Sequence, residues 1–388
     1  MRFKGYNKEL DYLTFKDVFT LYRGSSPRPI INYLTTSDDG VNWIKIGDMP
    51  SNGNKVTSCS ERITKEGAKK SRKVNKGDII LSNSMSFGKP YILEIDGYIH
   101  DGWFVIRNYQ KFLDKNYLCQ LIASNIVQKQ YKSTAAGGVV KNISSDLVNS
   151  VKVGIPSIDE QKKIAQFLDL IDLKIETQIK IIDSYKLLIN VIRDKLIYPS
   201  GLKERKLKSF IKIYNGYAFK SDSYIDNGSF KIVTIGNVTG ERYINKNNLN
   251  TINDIPEDIQ THQVLHKGSI LVSLTGNVGR VSICDIDTCL LNQRVALVCP
   301  INVNEKYIYH ILSSTKFRNH MISLSQGAAQ KNIGITDILN YTVPVSSSDE
   351  IEKIVNILEN IEEKICIEMK ILIYLQYIKS YLLKNMFV

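Results

Sequence analysis

Two stretches of the chain set apolar residues at alternating steps of four and three. Positions 164, 168, 171, 175, 178, 182, 185, 189, 192 and 196 read Ile, Leu, Ile, Ile, Gln, Ile, Tyr, Ile, Ile, Leu. The equivalent positions from 354 to 386 read Ile, Leu, Ile, Ile, Glu, Leu, Leu, Lys, Leu, Met. A 4/3 seam kept up over about five heptads is a coiled-coil pattern, whereas a lone amphipathic helix on a globular core is normally shorter. The predicted seam is Ile164, Leu168, Ile171, Ile175, Gln178 and Ile182 in the first helix and Ile354, Leu358, Ile361, Ile365, Glu368 and Leu372 in the second. Each helix opens after a proline on a predicted capping box, Ser157-Ile158-Asp159-Glu160 after Pro156 and Ser347-Ser348-Asp349-Glu350 after Pro344. Pro199 and Gly201 end the first.

Elsewhere the pattern shortens to β-branched and aromatic runs: WIKIG, GDIILS and GWFVI before the first helix, FKIVTIG, GSILVSL and RVALV before the second. Gly, Asn, Asp and Ser clusters separate them, which predicts strands and turns, with helical segments near 114–131 and 304–323. The two halves are copies. DEQKKIAQFLDLIDLKI from Asp159 returns as DEIEKIVNILENIEEKI from Asp349, identical at eight of seventeen positions. Lys76-Gly77-Asp78-Ile79 matches Lys267-Gly268-Ser269-Ile270, Gly88-Lys89 matches Gly279-Arg280, and Lys141-Asn142-Ile143 matches Lys331-Asn332-Ile333. A collinear series at offsets between 189 and 191 is a tandem duplication of about 190 residues, too long for a solenoid repeat.

The predicted architecture is α+β: two similar domains of mixed strands and short helices, held apart by a long antiparallel two-helix coiled coil about a pseudo-twofold. The boundaries are 1–156 for the first domain, 157–198 for the first helix, 199–345 for the second domain and 346–388 for the second helix. A helix of about 38 residues spans about 57 Å, more than one turn of B-DNA at about 34 Å. The repeated helix is thus expected to be a spacer.

Charge adds a partner. The chain carries a net +12, and the excess lies outside the helices: 23 Lys and Arg against 14 Asp and Glu in residues 1–156, and 16 against 11 in 201–345. Such a balance points to a polyanion, most often nucleic acid. The six Cys show no C-x-x-C spacing and read as reduced thiols of a cytoplasmic protein. No apolar run reaches the roughly 18 residues of a membrane span, and the polar start is unlike a signal peptide. No phosphate-binding G-x-x-x-x-G-K-[ST] loop, nucleophile elbow, His ligand pair or Asn/Asp-Pro-Pro-aromatic methyltransferase motif is present. Two basic domains with no recognisable active site read as a DNA-recognition module whose catalysis belongs to partners.

At this point the chain resembles the specificity subunits of type I restriction-modification enzymes. The likeness is carried by the two helix openings, especially Asp159 to Ala165, by Leu291-Asn292-Gln293-Arg294-Val295-Ala296, by Gly327-Ala328-Ala329-Gln330-Lys331-Asn332-Ile333, and by Gly216-Tyr217-Ala218-Phe219-Lys220-Ser221 leading to Ile235-Gly236-Asn237-Val238. The first copy departs from the pattern, with Asp101-Gly102-Trp103-Phe104 where the second has Asn292-Gln293-Arg294-Val295, and Ile351 replaces Gln161 in the second helix. The resemblance implies two target recognition domains, each reading one half of a bipartite double-stranded DNA site. It implies helices that dock two modification subunits, and restriction (translocase) subunits joined through the complex. S-adenosylmethionine, ATP and Mg would be held by those partners and no cofactor by this chain. A specificity module of another restriction or orphan methylation assembly, and a coiled-coil scaffold with a basic nucleic-acid-binding surface, are the alternatives.

Loop groups that recur in both copies and mix basic, small polar and Gly residues suit close approach to phosphates and base edges. In the first copy the candidates are Arg23, Ser25, Arg28, Lys69, Lys70, Arg72, Lys73, Asn83, Ser84, Ser86, Lys89, Lys132, Lys141 and Asn142. In the second they are Tyr217, Lys220, Ser221, Lys267, Thr275, Asn277, Arg280, Gln330, Lys331 and Asn332. Arg280 and Asn277 are the expected readers of guanine and adenine edges; Lys69, Lys70, Arg72 and Lys73 are expected to touch phosphate.

If the helices measure the site, one heptad added to each should lengthen the DNA spacer by roughly three base pairs, at about 1.5 Å per helical residue and about 3.4 Å per base pair. DNA bending widens the accepted range to roughly two to four. Methylation mapping of the lengthened subunit with its modification partner reads the spacer, and an active complex that keeps the original spacing refutes the ruler.

Overall fold

The computed structural model describes residues 2–50, 53–83, 88–135, 143–325 and 332–387. Its contacts divide the chain into two compact units, Met1–Ile181 with Glu368–Val388, and Ile182–Ile367. Both divisions fall inside the long helices, which run Ile158–Ile197 and Ser348–Asn385. Each unit therefore contains one mixed domain and part of each helix. Among the described residues no helix is long and apolar enough to cross a membrane.

In the first unit a five-stranded sheet has the order Thr20–Arg23, Trp103–Arg107, Ile79–Ser82, Pro90–Leu93, Lys55–Val56. All four residues of Ile79–Ser82 are buried, as expected for a strand whose two faces are both covered. A second sheet orders Leu34–Thr35, Glu61–Ile63, Val41–Ile44, Gly97–Ile99, Arg72–Val74, with Trp43 beside Tyr98 in its one parallel pair. Asp11–Thr14 pairs with Lys152–Ile155 and closes the domain at the start of the long helix. The second unit repeats the scheme with four strands per sheet. One sheet orders Ile211–Asn215, Val295–Pro300, Ile270–Ser273, Val281–Ile283; the other orders Asn250–Ile252, Phe230–Val233, Cys289–Leu291, Val264–Leu265. Its parallel pair sets Ile232 beside Leu290, and Glu204–Lys206 pairs with Thr342–Pro344. The duplication is thus one of register as well as of sequence.

Both segments expected to be helical are helical, each broken in two: Lys115–Ala123 and Asn125–Ala135, then Glu305–Leu312 and Thr315–Leu324. Serine is the cause in the second unit, where Ser314 leaves the helical conformation and its Oγ accepts from Phe317 N at 3.2 Å, capping a new helix. The second capping box forms, with Ser347 N donating to Glu350 at 2.9 Å. In the first helix Glu160 turns to Arg2 instead, taking Nε at 2.9 Å and Nη2 at 2.5 Å, an ion pair across 158 residues that local spacing does not reveal. Trp103, whose role the sequence left open, is core: it is fully buried and meets the Tyr91 ring edge-on at 5.9 Å.

Along the helices Ile164, Leu168, Ile171, Gln178, Ile182, Ile354, Leu358, Ile365 and Glu368 are buried, while Ile175, Ile361 and Leu372 are half-buried. Within the first unit Asp172 pairs with Lys379 and Gln178 with Glu368, so the two helix segments run antiparallel. Gln178 Nε2 donates to the Glu368 carboxylate at 2.5 Å and to its carbonyl at 3.0 Å.

Polar contacts seat each domain on its helix segments. In the first unit Gln161 accepts from Asp114 N at 2.8 Å and donates to Phe112 O and Pro156 O, both at 2.9 Å. Asn116 donates to Asp169 at 2.8 Å, and Gln120 to both Asp169 and Asp172 at 3.1 Å. In the second unit Ile351, in place of the glutamine, packs with the core, and the acidic pair becomes Glu359 and Glu362. Arg242 holds Glu359 through two bonds of 2.9 and 2.8 Å, His310 Nε2 lies 3.1 Å from Glu359, and the buried Arg193 donates to Glu362 at 2.9 Å. Burial pushes the His310 imidazole down to about 4, with Glu359 opposing the shift.

Two consequences are measurable. Below its ordinary value of 6.5, His310 takes up a proton in the unfolded chain before it does in the folded one, so stability should fall as pH drops from about 6.5 toward 4. His310→Gln, which installs the residue found at position 120, should flatten that slope between about pH 6.5 and 5 in urea unfolding; an unchanged slope would show that His310 is not its source. Arg193→Met strips Glu362 of its nearest partner and should destabilise the second unit by about 3–5 kcal/mol, the usual cost of breaking a buried pair from one side.

Candidate nucleic-acid interface

In the first domain, strand Thr20–Arg23 ends with Arg23 opposite Phe104, and the chain then crosses the turn at residues 100–102. Gly24 N donates to Trp103 O at 2.8 Å and Ser25 N to Ile99 O at 3.2 Å. A Cβ on Gly24 would sit 2.0 Å from His100 O, so only glycine lets the loop lie this close to the turn. Several predicted residues converge there. Asn83 Nδ2 donates to Asp101 O at 2.8 Å, Arg23 Nε to the same oxygen at 3.3 Å, and Arg72 Nε to Arg23 O at 3.1 Å. Ser26 Oγ donates to the Asp101 carboxylate at 2.8 Å, and Arg28 Nη2 pairs with its other oxygen at 3.2 Å. The Ser26 hydrogen bond, with Arg28 and His100 adding smaller effects, holds the Asp101 carboxyl below the usual carboxylate range. Arg23, Ser25, Arg28, Arg72 and Asn83 are therefore gathered around one acidic turn.

The others lie apart or are tied elsewhere. Lys69 is exposed on the short helix Lys65–Lys69, and Lys70 Nζ donates to Tyr33 OH at 2.5 Å. Lys73 is exposed on strand Arg72–Val74, and Lys132 is exposed on helix Asn125–Ala135. Lys89 is half-buried, 5.0 Å over the Tyr91 ring, and burial lowers its pKa. Ile143 N donates to Asn83 O at 2.7 Å, bringing the segment after residue 142 to the same edge. Ser84, Ser86, Lys141, Asn142, Gln330 and Lys331 lie outside the described residues.

The second domain builds the same edge. Tyr217 N donates to Leu291 O at 2.7 Å, Gln293 N to Tyr217 O at 2.9 Å, and Leu274 N to Arg294 O at 3.0 Å. A Cβ on Gly216 would meet Asn292 O at 2.3 Å, the counterpart of Gly24. Ile333 N donates to Leu274 O at 2.9 Å and Thr275 bridges Asn332. Tyr217, Thr275 and Asn332 are thus brought together with Gln293 and Arg294, and the Tyr217 hydroxyl donates to Asp258 at 2.7 Å. Lys220 and Ser221 are exposed on the loop that follows, and Asn277 is exposed in the hairpin between Ile270–Ser273 and Val281–Ile283. Arg280 closes that hairpin, its backbone N on Ser273 Oγ at 3.0 Å, but its side chain is half-buried and reaches along Gly240. Lys267 sits at the opposite end of strand Ile270–Ser273 from Thr275 and does not join the cluster.

Each edge offers guanidinium or hydroxyl donors beside a glycine-backed turn, the mixture that suits phosphate contact and base-edge hydrogen bonding. Asp101, Gln293 and Arg294 are central to it and were not among the predicted site residues. Their signal was the divergence of DGWF from NQRV, which a search for basic residues passes over. The structure corrects that alignment by one residue: Trp103 faces Ser82 as Val295 faces Ser273, so Asp101 corresponds to Gln293 and not to Asn292.

Comparison with known proteins agrees with this duplicated plan. The sequence profile described as "Type I restriction modification DNA specificity domain" matches residues 7–183 and again 199–377. The type I restriction enzyme MjaVIII specificity subunit of Methanocaldococcus jannaschii is 24% identical over 325 residues, covering 76% of this chain and 75% of that protein. The MjaIX specificity subunit of the same organism is 23% identical, covering 98% and 93%. Among solved structures, a chain from work on complex assembly and conformational transition of the type I R-M system superposes with a TM-score of 0.61 at 16% identity, over 97% of both chains. The type I restriction-modification S subunit from M. genitalium gives 0.54 at 16% identity over 99% and 97%. The structural likenesses establish the fold and the profile establishes the kinship: the chain belongs to the type I restriction-modification specificity family and carries two target recognition domains.

Proposed function

We propose that this chain is the DNA-recognition subunit of a type I restriction-modification enzyme, with each domain reading one half of a bipartite site. The observation that carries the reading is the repeated edge: two domains each gather donors and a polar turn against a glycine, from Gly24 and Asp101 in one and from Gly216 and Gln293 in the other. A net +12 supports a polyanionic partner. The long helices dock two modification subunits, through which restriction subunits join. The chain is non-catalytic and acts in the cytoplasm. It holds no cofactor of its own; S-adenosylmethionine, ATP and Mg belong to the partners. The site residues act as phosphate anchors at Arg23, Arg28, Arg72 and Lys220 and as a base-edge contact at the exposed Asn332, while Asn83 holds the turn through Asp101 O. The division into 1–156, 157–198, 199–345 and 346–388 marks the parts that exchange as modules.

Exchanging residues 1–156 for the matching domain of a relative should change one half-site and leave the other intact, read by methylation mapping with the modification partner. Simultaneous change of both half-sites would refute independent readers, and methyl transfer to DNA by the purified chain alone would refute a non-catalytic subunit.

A further inference from the structure

The two edges share a backbone and differ in one respect that bears on what they read. In the first domain the turn presents a carboxylate, Asp101; in the second, the residue at the same place on the Gly216-backed turn is Gln293, exposed beside the exposed Arg294. A carboxylate amid residues gathered for a polyanion is costly, because it repels every phosphate that approaches. Asp101 is nonetheless held with some care. Its backbone oxygen takes Asn83 Nδ2 and Arg23 Nε, at 2.8 and 3.3 Å, and Gly102 N donates to His100 Nδ1 at 2.8 Å. One carboxylate oxygen is occupied by Ser26 Oγ at 2.8 Å. The other meets Arg28, whose side chain is 82% exposed while that of Asp101 is 43% exposed. A pair so wet contributes little to stability, so Arg28 is free to turn to a phosphate and leave that oxygen open.

An ionised carboxylate has only acceptors to offer. In the major groove the donors are the exocyclic amino groups of cytosine N4 and adenine N6, and Asp or Glu pairs with the cytosine amino group. Resting on the reading of this chain as a DNA-recognition subunit, we propose that Asp101 is a specificity-determining residue of the first domain, accepting a hydrogen bond from a cytosine amino group in its half-site while Ser26 aims the carboxylate and Arg28 moves to the backbone. The second domain places an amide at that position and so reads a different edge. The two half-sites differ in part because this one turn differs.

The test uses the full chain with its modification partner, acting on DNA randomised across both half-sites and read by methylation mapping. The wild-type complex must first select a defined sequence; random methylation would overturn DNA recognition itself, apart from any role of Asp101. Asp101→Asn is nearly isosteric and exchanges an acceptor-only group for one that also donates. It should lower discrimination by about tenfold to a hundredfold at one base pair of one half-site, where the wild type requires cytosine, and leave the other half-site unchanged. The same loss at a required adenine would assign the contact to the adenine amino group and overturn the choice of cytosine while keeping Asp101 as a reader. Asp101→Glu, which retains the acceptor, should keep the base preference at a reduced rate. Ser26→Ala should weaken the preference at that same base pair and no other. A uniform loss at all sequences in Asp101→Asn, matched by Ser26→Ala, would make Asp101 a loop staple and overturn the proposal. So would unaltered selectivity in Asp101→Asn, or a relaxed position that requires guanine or thymine.

Discussion

A pair of carboxylates one helical turn apart, Asp169 and Asp172 on the first long helix and Glu359 and Glu362 on the second, sets how each domain meets its helix segments. A charge taken from water costs several kcal/mol unless its partners are well placed, so the pair tolerates only the positions in which its donors arrive. In the first unit those donors are Asn116, Gln120 and Lys379. In the second they are Arg242, His310, Lys306 and Arg193. Apolar packing around Leu168 and Leu358 supplies adhesion without direction. The directional bonds fix the angle, and the edge that carries the Asp101 or Gln293 turn follows the domain.

The two copies solve that seating with different chemistry. Amides and one lysine suffice in the first unit, where Gln161 adds three hydrogen bonds to the backbone of the domain. The second unit lacks that glutamine. There Arg242 spans to Glu359, and also lies 5.4 Å from the Tyr309 ring. A guanidinium keeps its charge at any working pH and its fork matches a carboxylate, so it can replace several neutral hydrogen bonds. The cost is a denser buried charge network with an imidazole inside it, and this makes the second unit sensitive to acid at His310.

Much of this was legible in the sequence because it is local. The 4/3 spacing marks the buried face of each helix, and the apolar run Ile79-Ile80-Leu81 marks a buried strand. Gln178 and Glu368, set at one seam position near each midpoint, meet as that position requires. What was not legible depends on distant partners. Glu160 has the spacing of a capping residue, yet Arg2, 158 positions away, claims it. Ser26 and Asp101, 75 positions apart, form a contact that no window contains. The basic clusters drew notice by composition, but composition does not say which lysines share an edge: Lys89 lies over Tyr91 and Lys267 at the far end of its strand.

Duplication separates the positions that hold each edge together from those that vary on it. Gly24 and Gly216 are kept because any side chain would strike the carbonyl beneath, at 2.0 Å in one copy and 2.3 Å in the other. Ser82 and Ser273 are kept at the end of the strand beside the turn, each opposite the first residue of the strand that the turn leads into, Trp103 or Val295. Gly24 and Gly216 face backbone carbonyls, and Ser273 Oγ donates to Asn277 O at 2.6 Å. Asp101 and Gln293 project from the turn they support, and neither packs in a core. Exchanging one for the other alters what the edge can accept or donate while costing the fold little. A domain built this way can change the groups its edge presents by one side chain and keep its seating on the helix. That independence is the physical reason one scaffold, copied once, can carry two different polar surfaces at the same place.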